Sequence, residues 1–212
     1  DVEGIERYRI SSIEPNLIKE NIIEFVSKSK KFMPHFHIPM QSGSDFILGK
    51  MKRRYNTKLY SSKILAISKA IPDVCIGADV IVGFPGETEI EFLESFELIK
   101  KLNLSYLHVF SYSNRENTKS IKMKKHNSVT VIKNRSKILR EYSKKINLSF
   151  KQSQMNKNRD VLFESINNGY LTGLTDNYIK VTVPGDDTFL NSVIKTKLIK
   201  MNNDLVLGKV IN

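Results

Sequence analysis

Two short stretches of this chain carry residues that could do chemistry. In Gln41-Ser42-Gly43-Ser44-Asp45, four hydrogen-bonding side chains and a glycine end an apolar run. That set suits ribose hydroxyls or an amino-acid headgroup. Helix capping by Ser44 or Asp45 would employ one of them and leave Gln41 and Ser42 unexplained. In Ile81-Val82-Gly83-Phe84-Pro85-Gly86-Glu87-Thr88, an apolar run meets a Gly-x-Pro-Gly-Glu turn and then a helix start. Glycines there would let the backbone approach a ligand, and Gly86 can take positive φ. Gly-rich turns before helices often hold phosphate. Here neither Gly-x-Gly-x-x-Gly nor Gly-Lys-Ser/Thr is present, and Glu87 would repel phosphate. A cationic or sulfonium-bearing ligand is more compatible. The plain alternative is a strand–helix turn with a capping box.

Arg7, Arg9 and Ser11 share one face of a short strand, with Ser12 and Glu14 on the other. Pointing inward, Arg9 could hold a carboxylate bidentately; pointing outward, it is a solvated charge. His35 and His37 are expected on opposite faces of their strand, and so not as a metal-chelating pair. Cys75, between Val74 and Ile76, reads as a buried, inert thiol. A single cysteine excludes an intramolecular disulfide framework, which makes the cytoplasm the default compartment.

These residues need elements to place them. Residues 7–12 read as a strand ended by Glu14-Pro15, since proline disfavours helix in the residue before it. Asn16 is then expected to cap a helix whose apolar face is Leu17, Ile18, Ile22, Ile23 and Phe25. A strand at 36–39, helical segments at 45–51 and 58–70, and a strand at 74–83 follow. Thr88 caps a helix over 89–101, with Glu91 placed for a capping box, and a strand over 105–112 closes the series. Strand–helix units in series predict a right-handed parallel sheet, with its chemistry at the C-terminal ends of the strands. A chain that opens directly on such a strand reads as the middle of a larger domain.

Residues 128 to about 155 read as one long basic helix. Five short strands follow, separated by turn signals such as Asn167-Asn168-Gly169 and Pro184-Gly185. They predict a small β-barrel of the oligonucleotide-binding kind. The expected organisation is 1–127 for the α/β part, 128–157 for the linking helix and 158–212 for the barrel.

The net charge is +12 over 212 residues, and it is concentrated. Between 113 and 150 lie eleven Lys/Arg against Glu116 and Glu141. A block of that kind attracts polyanions, RNA above all; otherwise it is a solvated basic helix. Lys133, Arg135 and Arg140 are its candidate RNA contacts, with Tyr170 and Tyr178 as candidate stacking platforms on the barrel. No apolar run approaches the roughly 20 residues of a membrane span.

Five stretches jointly resemble the radical S-adenosylmethionine methylthiotransferases that modify tRNA. They are Arg9-Ile10-Ser11-Ser12-Ile13-Glu14-Pro15, the run from His37 to Asp45, Met51-Lys52-Arg53-Arg54-Tyr55, the run from Gly77 to Thr88, and the run from His108 to Thr118. The resemblance spans essentially the whole chain. Arg53-Arg54-Tyr55 and Tyr112-Ser113-x-Arg115-x-x-Thr118 look most like the branch acting on threonylcarbamoyladenosine. The resemblance implies strands three to six of an incomplete radical-SAM TIM-like α/β barrel, followed by a small all-β TRAM barrel.

It further implies S-adenosylmethionine as cofactor, a four-iron four-sulfur cluster in the full-length enzyme, and tRNA as partner. The implied reaction adds a methylthio group at adenine C2, through a radical that abstracts hydrogen there and a second cluster that supplies sulfur. Gln41 and Ser42 would sit at the ribose. Ile81, Gly83 and Glu87 would lie in the motif that packs against adenine, and Arg9 and Glu14 near the methionine headgroup. The departures are a missing Cys-x-x-x-Cys-x-x-Cys loop and Asn117 where many relatives have glycine. One cysteine cannot hold a cluster. The expectation is therefore a chain inactive alone, whose partner is a segment or domain carrying the cluster cysteines. Two alternatives stand beside it: a non-catalytic RNA-binding protein, and the ribosomal-protein branch of the same family.

Overall fold

The computed structural model describes residues 3–114, 116 and 118–211. Arg115 of the basic block and Asn117 lie outside the described residues.

The first part is a four-stranded parallel sheet in the order β1 (Tyr8–Ile10), β2 (Phe32–His37), β3 (Cys75–Val82) and β4 (Tyr106–Ser111). Its crossovers are α1 (Glu20–Lys28), the pair α2 (Asp45–Lys50) and α3 (Thr57–Ala70), and α4 (Glu89–Lys101). α5 (Val129–Ser153) then packs along β4. Side chains alternate across a strand. Phe36, Ala78, Val80, Val82 and Leu107 point to the helices, where they meet Ile23, Ile64, Ile67, Phe92, Ile99 and Leu139 in one continuous core. The opposite face carries His35, His37, Asp79, Tyr106 and His108, whose rings and polar groups touch one another. One face is thus apolar and roofed by helices, and the other is polar.

Local chemistry accounts for most element ends. Thr88 Oγ1 accepts from Ile90 N while Glu91 accepts from Thr88 N at 2.7 Å, the reciprocal capping box expected there. Asn56 accepts from Leu59 N and caps α3; Ser128 accepts from Val131 N and caps α5. The first crossover departs from the expectation. Pro15–Leu17 is a single 3-10 turn, α1 starts only at Glu20, and Leu17 and Phe25 are exposed. Proline sits where a helix can begin, but Asn16 lies inside the turn instead of capping a longer helix. The histidine expectation also fails. Residues two apart in a strand share a face, and His35 and His37 both reach the Tyr106 hydroxyl.

β4 is an edge strand, and α5 seals it. Ser143 Oγ accepts from Leu107 N at 2.8 Å and donates to Leu107 O at 3.0 Å. Arg140 donates to Val109 O and Asn147 to Ser105 O. Helix side chains thereby satisfy the outward backbone groups that an edge would otherwise expose.

Residues 158–210 form a closed barrel: β5 (Asn158–Asn167), β6 (Tyr170–Thr175), β7 (Lys180–Pro184), β9 (Leu205–Val210) and β8 (Val193–Asn202), in that spatial order. Its core is Val161, Phe163, Leu171, Val181, Val183, Leu198 and Val206. A Cβ at Gly173 would lie 2.2 Å from Leu162 O, so only glycine allows β5 and β6 to close there. The barrel is bolted to the sheet. Asp73 accepts from Lys157, Gln154 and Arg159, Asn177 donates to Asp73 O, and Arg7 donates to Leu174 O and Asp160 O. Among the described residues, no helix is long and apolar enough to cross a membrane.

Candidate functional site

A cavity of about 440 Å³ opens at the C-terminal end of the sheet, between the polar face and the segment after β4. Gln41 and Asp79 line it with an amide and a carboxylate, Ile81, Phe84, Phe110 and Tyr112 with apolar and aromatic surface, and Ser111, Ser113, Thr118 and Ser120 with hydroxyls. Gln41 leaves the end of β2 with φ of 64°, in the left-handed region. Bonds from Gln41 N to Asp79 O and from Ile81 N to Gln41 O hold that conformation against β3. Strain of this kind persists only where the surroundings over-determine it, and it concentrates at functional sites. Phe84 meets Tyr112 edge-on, with ring centroids 5.4 Å apart.

Asp79 does not stand alone. His37 Nε2 lies 2.9 Å from its carboxylate, His37 Nδ1 lies 3.4 Å from Tyr106 Oη, and His35 Nε2 lies 3.1 Å from the same hydroxyl. His37 thus bridges the Asp79 carboxylate and the Tyr106 hydroxyl through its two ring nitrogens. A hydrogen-bonded line therefore runs from the cavity wall down the polar face to His35, whose ring packs against Tyr178 of the barrel. Burial, with Arg9 and His37 nearby, pushes His35 down to about 4, so it is neutral near pH 7. Burial pushes the Tyr106 hydroxyl up, which keeps it a donor.

Of the seven residues expected at a cofactor, the cavity gathers Gln41 and Ile81. The other five serve elsewhere. Ser42 Oγ lies 3.2 Å from Ser95 Oγ and accepts from Ser44 N, which ties the 42–44 turn to α4. Glu87 is buried; its carboxylate accepts from Gly83 N at 3.1 Å and from Arg135 at 2.7 Å. It braces the turn from behind and does not face the cavity. Burial raises the Glu87 pKa, with the Gly83 amide and Arg135 acting against it. Gly83 and Gly86 are needed by the fold: both have positive φ, and a Cβ would meet Ile132 of α5 and Lys50 of α2 respectively. Arg9 is exposed, with its guanidinium 4.6 Å over the Tyr178 ring, and Glu14 pairs with Arg53.

The expected RNA contacts divide similarly. Lys133 and Arg140 are exposed on α5, and Tyr170 is half-exposed. Arg135 is buried with Glu87, so it has no face to offer a polyanion. Tyr178 is half-buried, with Arg9 over its ring and His35 tilted against it.

Asp79, Phe110 and Tyr112 were not among the expected site residues. The signal for Asp79 was present: it lies two before Ile81 in one strand, and therefore on the same face.

Residues 2–99 match the family model of the Radical SAM superfamily. The threonylcarbamoyladenosine tRNA methylthiotransferase MtaB of Bacillus subtilis is 36% identical over 94% of this chain and 45% of its own length. That of Aquifex aeolicus is 36% identical over 87% of this chain and 44% of its own. The tRNA-2-methylthio-N(6)-dimethylallyladenosine synthase of Symbiobacterium thermophilum is 33% identical over 98% of this chain and 45% of its own. The chain is thus similar over nearly its whole length to tRNA methylthiotransferases, and over residues 2–99 to the Radical SAM superfamily. It spans about half the length of the curated relatives it matches. Among solved structures, the Escherichia coli radical SAM enzyme coproporphyrinogen III oxidase (HemN) aligns with a TM-score of 0.56 and 12% identity, over 80% of this chain and 46% of its own. At that identity the likeness concerns the fold alone.

The chemistry of the cavity's lining is of the kind that S-adenosylmethionine needs. Its carboxylate and amide match vicinal hydroxyls, and its aromatic and aliphatic surface matches an adenine. The cluster is a different matter. Cys75 lies at the N-terminal end of β3, away from the cavity, and burial pushes its thiol up to about 12. It does not fit a cluster ligand, which must be a thiolate.

Proposed function

We propose that this chain is the cofactor-pocket and RNA-docking portion of a tRNA methylthiotransferase. In this reading the enzyme adds a methylthio group to C2 of threonylcarbamoyladenosine beside the anticodon. The observation that carries the reading is the cavity at the strand ends, lined by Gln41 and Asp79 together with Phe84, Phe110 and Tyr112. Near-full-length similarity of this chain to two relatives named for threonylcarbamoyladenosine supports the substrate. The five-stranded barrel is read as the TRAM domain of the family.

Bound with a reduced four-iron cluster, S-adenosylmethionine supplies the hydrogen-abstracting chemistry at C2. This chain's residues bind and orient. Asp79 and Gln41 accept from and donate to the ribose hydroxyls, and His37 keeps Asp79 aimed at the cavity. Ile81, Phe84 and Phe110 exclude water and fix the adenine plane. The cluster ligands are assigned to a separate segment or domain bearing cysteines, which is the protein partner; tRNA is the nucleic-acid partner.

The test is nucleoside mass spectrometry of tRNA from a strain lacking the modification. The full enzyme should restore the methylthio group on threonylcarbamoyladenosine, and residues 1–212 alone should not. A methylthio group appearing on dimethylallyladenosine, or on a ribosomal protein, would overturn the substrate. The exposed basic face of α5 supports a second reading, in which this chain alone is an RNA-binding module. RNA binding by residues 1–212 without S-adenosylmethionine binding would favour it.

A further inference from the structure

A second concavity, of about 290 Å³, lies beside the cofactor cavity and shares one residue with it, Ser111. Its floor is Ser111 and Ser136, whose hydroxyls lie 2.7 Å apart. Its walls are Lys133, Lys137, Arg140 and Lys144 of α5. Those four recur at steps of four, three and four, which puts them on one stripe of the helix. At a rise of about 1.5 Å per residue the stripe is roughly 16 Å long. All four are exposed, and among the described residues none has a carboxylate within ion-pair distance. Among the described residues, Glu141 is the one acid in the groove's wall. Basic residues of the same region that do have partners are spent elsewhere: Arg135 on Glu87, Lys151 on Asp204. A row of unpaired cations along a groove is placed for a chain of regularly spaced anions.

The groove has a direction. Ile132, next to Lys133, packs against Gly83 at the cavity end, whereas the far end of α5 bonds to Asp73 below the sheet. The row therefore starts at the cavity and runs away from it. We infer that this α5 groove grips the sugar-phosphate backbone of the RNA strand flanking the base presented to the cavity, with Lys133 nearest that base. Arg140 holds its place by donating to Val109 O, which fixes the row relative to β4 and so to the cavity. This inference rests on the proposed RNA substrate, and it assigns the route by which the strand reaches the cavity.

The experiment uses residues 1–212, an anticodon stem-loop RNA ending in a photoreactive label, and the triple variant Lys133→Ala, Lys137→Ala, Lys144→Ala. Arg140 is left intact because it supports β4. Each phosphate contact contributes a slope of roughly −0.7 to −0.9 in log affinity against log salt. The triple variant should bind more weakly and flatten that slope by about 2. A control triple on α3, Lys58→Ala, Lys63→Ala, Lys69→Ala, should keep the parent slope. Cysteine-linked crosslinkers at 133 and 144 should reach nucleotides nearer to and farther from the target adenosine, in that order. An unchanged slope in the α5 variant, an equal loss in the α3 control, a reversed crosslink order, or a preference for anionic vesicles over RNA would each overturn the inference. Binding of S-adenosylmethionine, measured in parallel, should be the same in parent and triple variant. If the parent shows none, the cofactor reading fails while the groove is still judged by its slope.

Discussion

Arg135 Nη1 lies 2.7 Å from Glu87 Oε1, and both side chains are almost wholly buried, at 6% and 3% exposure. The same guanidinium reaches Glu87 O at 3.1 Å and Glu89 at 3.2 Å. One arginine thus joins α5 to the turn between β3 and α4, and that turn shapes one side of the cavity.

Removing one partner of a buried pair leaves an uncompensated charge, at a cost of about 3–5 kcal/mol. Arg135→Met should therefore lower unfolding free energy by about that amount in urea titration. The double variant Arg135→Met, Glu87→Gln should recover most of it. A single variant as stable as the parent would mean the pair contributes nothing.

Asp79 lines the candidate cavity, whereas Ser42, expected at the cofactor, does not. Asp79→Ala should weaken S-adenosylmethionine binding by about 10- to 100-fold, the range for hydrogen bonds to a charged group. Ser42→Ala should change that affinity little and instead loosen the 42–44 turn. Equilibrium dialysis of both variants distinguishes them; the opposite ranking would restore Ser42 to the cofactor.

Two glycine substitutions should differ in sign. A Cβ on Gly77 would lie 2.1 Å from the Tyr106 ring, so Gly77→Ala must displace that ring and should cost about 1–3 kcal/mol. Gly49, within α2, has nothing near its missing Cβ. Gly49→Ala should stabilise by about 0.5–1 kcal/mol through helix propensity. Thermal melts of the two variants settle both.

His35 gives stability a pH dependence of known direction. In the unfolded chain it takes a proton near its ordinary 6.5, and in the folded chain only near 4. Between these values the unfolded state binds more protons. Its contribution is therefore full above pH 6.5, shrinks as pH falls towards 4, and levels off below. The whole contribution is about 3 kcal/mol. His35→Gln should remove this part of the slope, measured as the difference between parent and variant unfolding curves across pH 7 to 4.

The strand–helix series, the capped helices and the five barrel strands were legible because local signals fixed them: Thr88 with Glu91, Ser128, and the Asn-Asn-Gly and Pro-Gly turns. The site was legible only in part. Gln41 and Ile81 stand at strand ends, which the sequence marks. The burial of Arg135 was not legible, because α5 is basic on several sides and only packing against β4 decides which arginine turns inward. Glu87 and Tyr178 failed for a related reason. Their partners, Arg135 and Arg9, lie 48 and 169 positions away, and nothing local announces them.

The seal that Arg140, Ser143 and Asn147 place over β4 also limits how this sheet can grow. Their side chains occupy the backbone groups a neighbouring strand would need. Addition beside β4 would require α5 to detach, taking the β4-facing part of the core with it. Any strand that joins the sheet without that loss joins beside Tyr8–Ile10. Among the described residues, that edge is the one farthest from the lysine row.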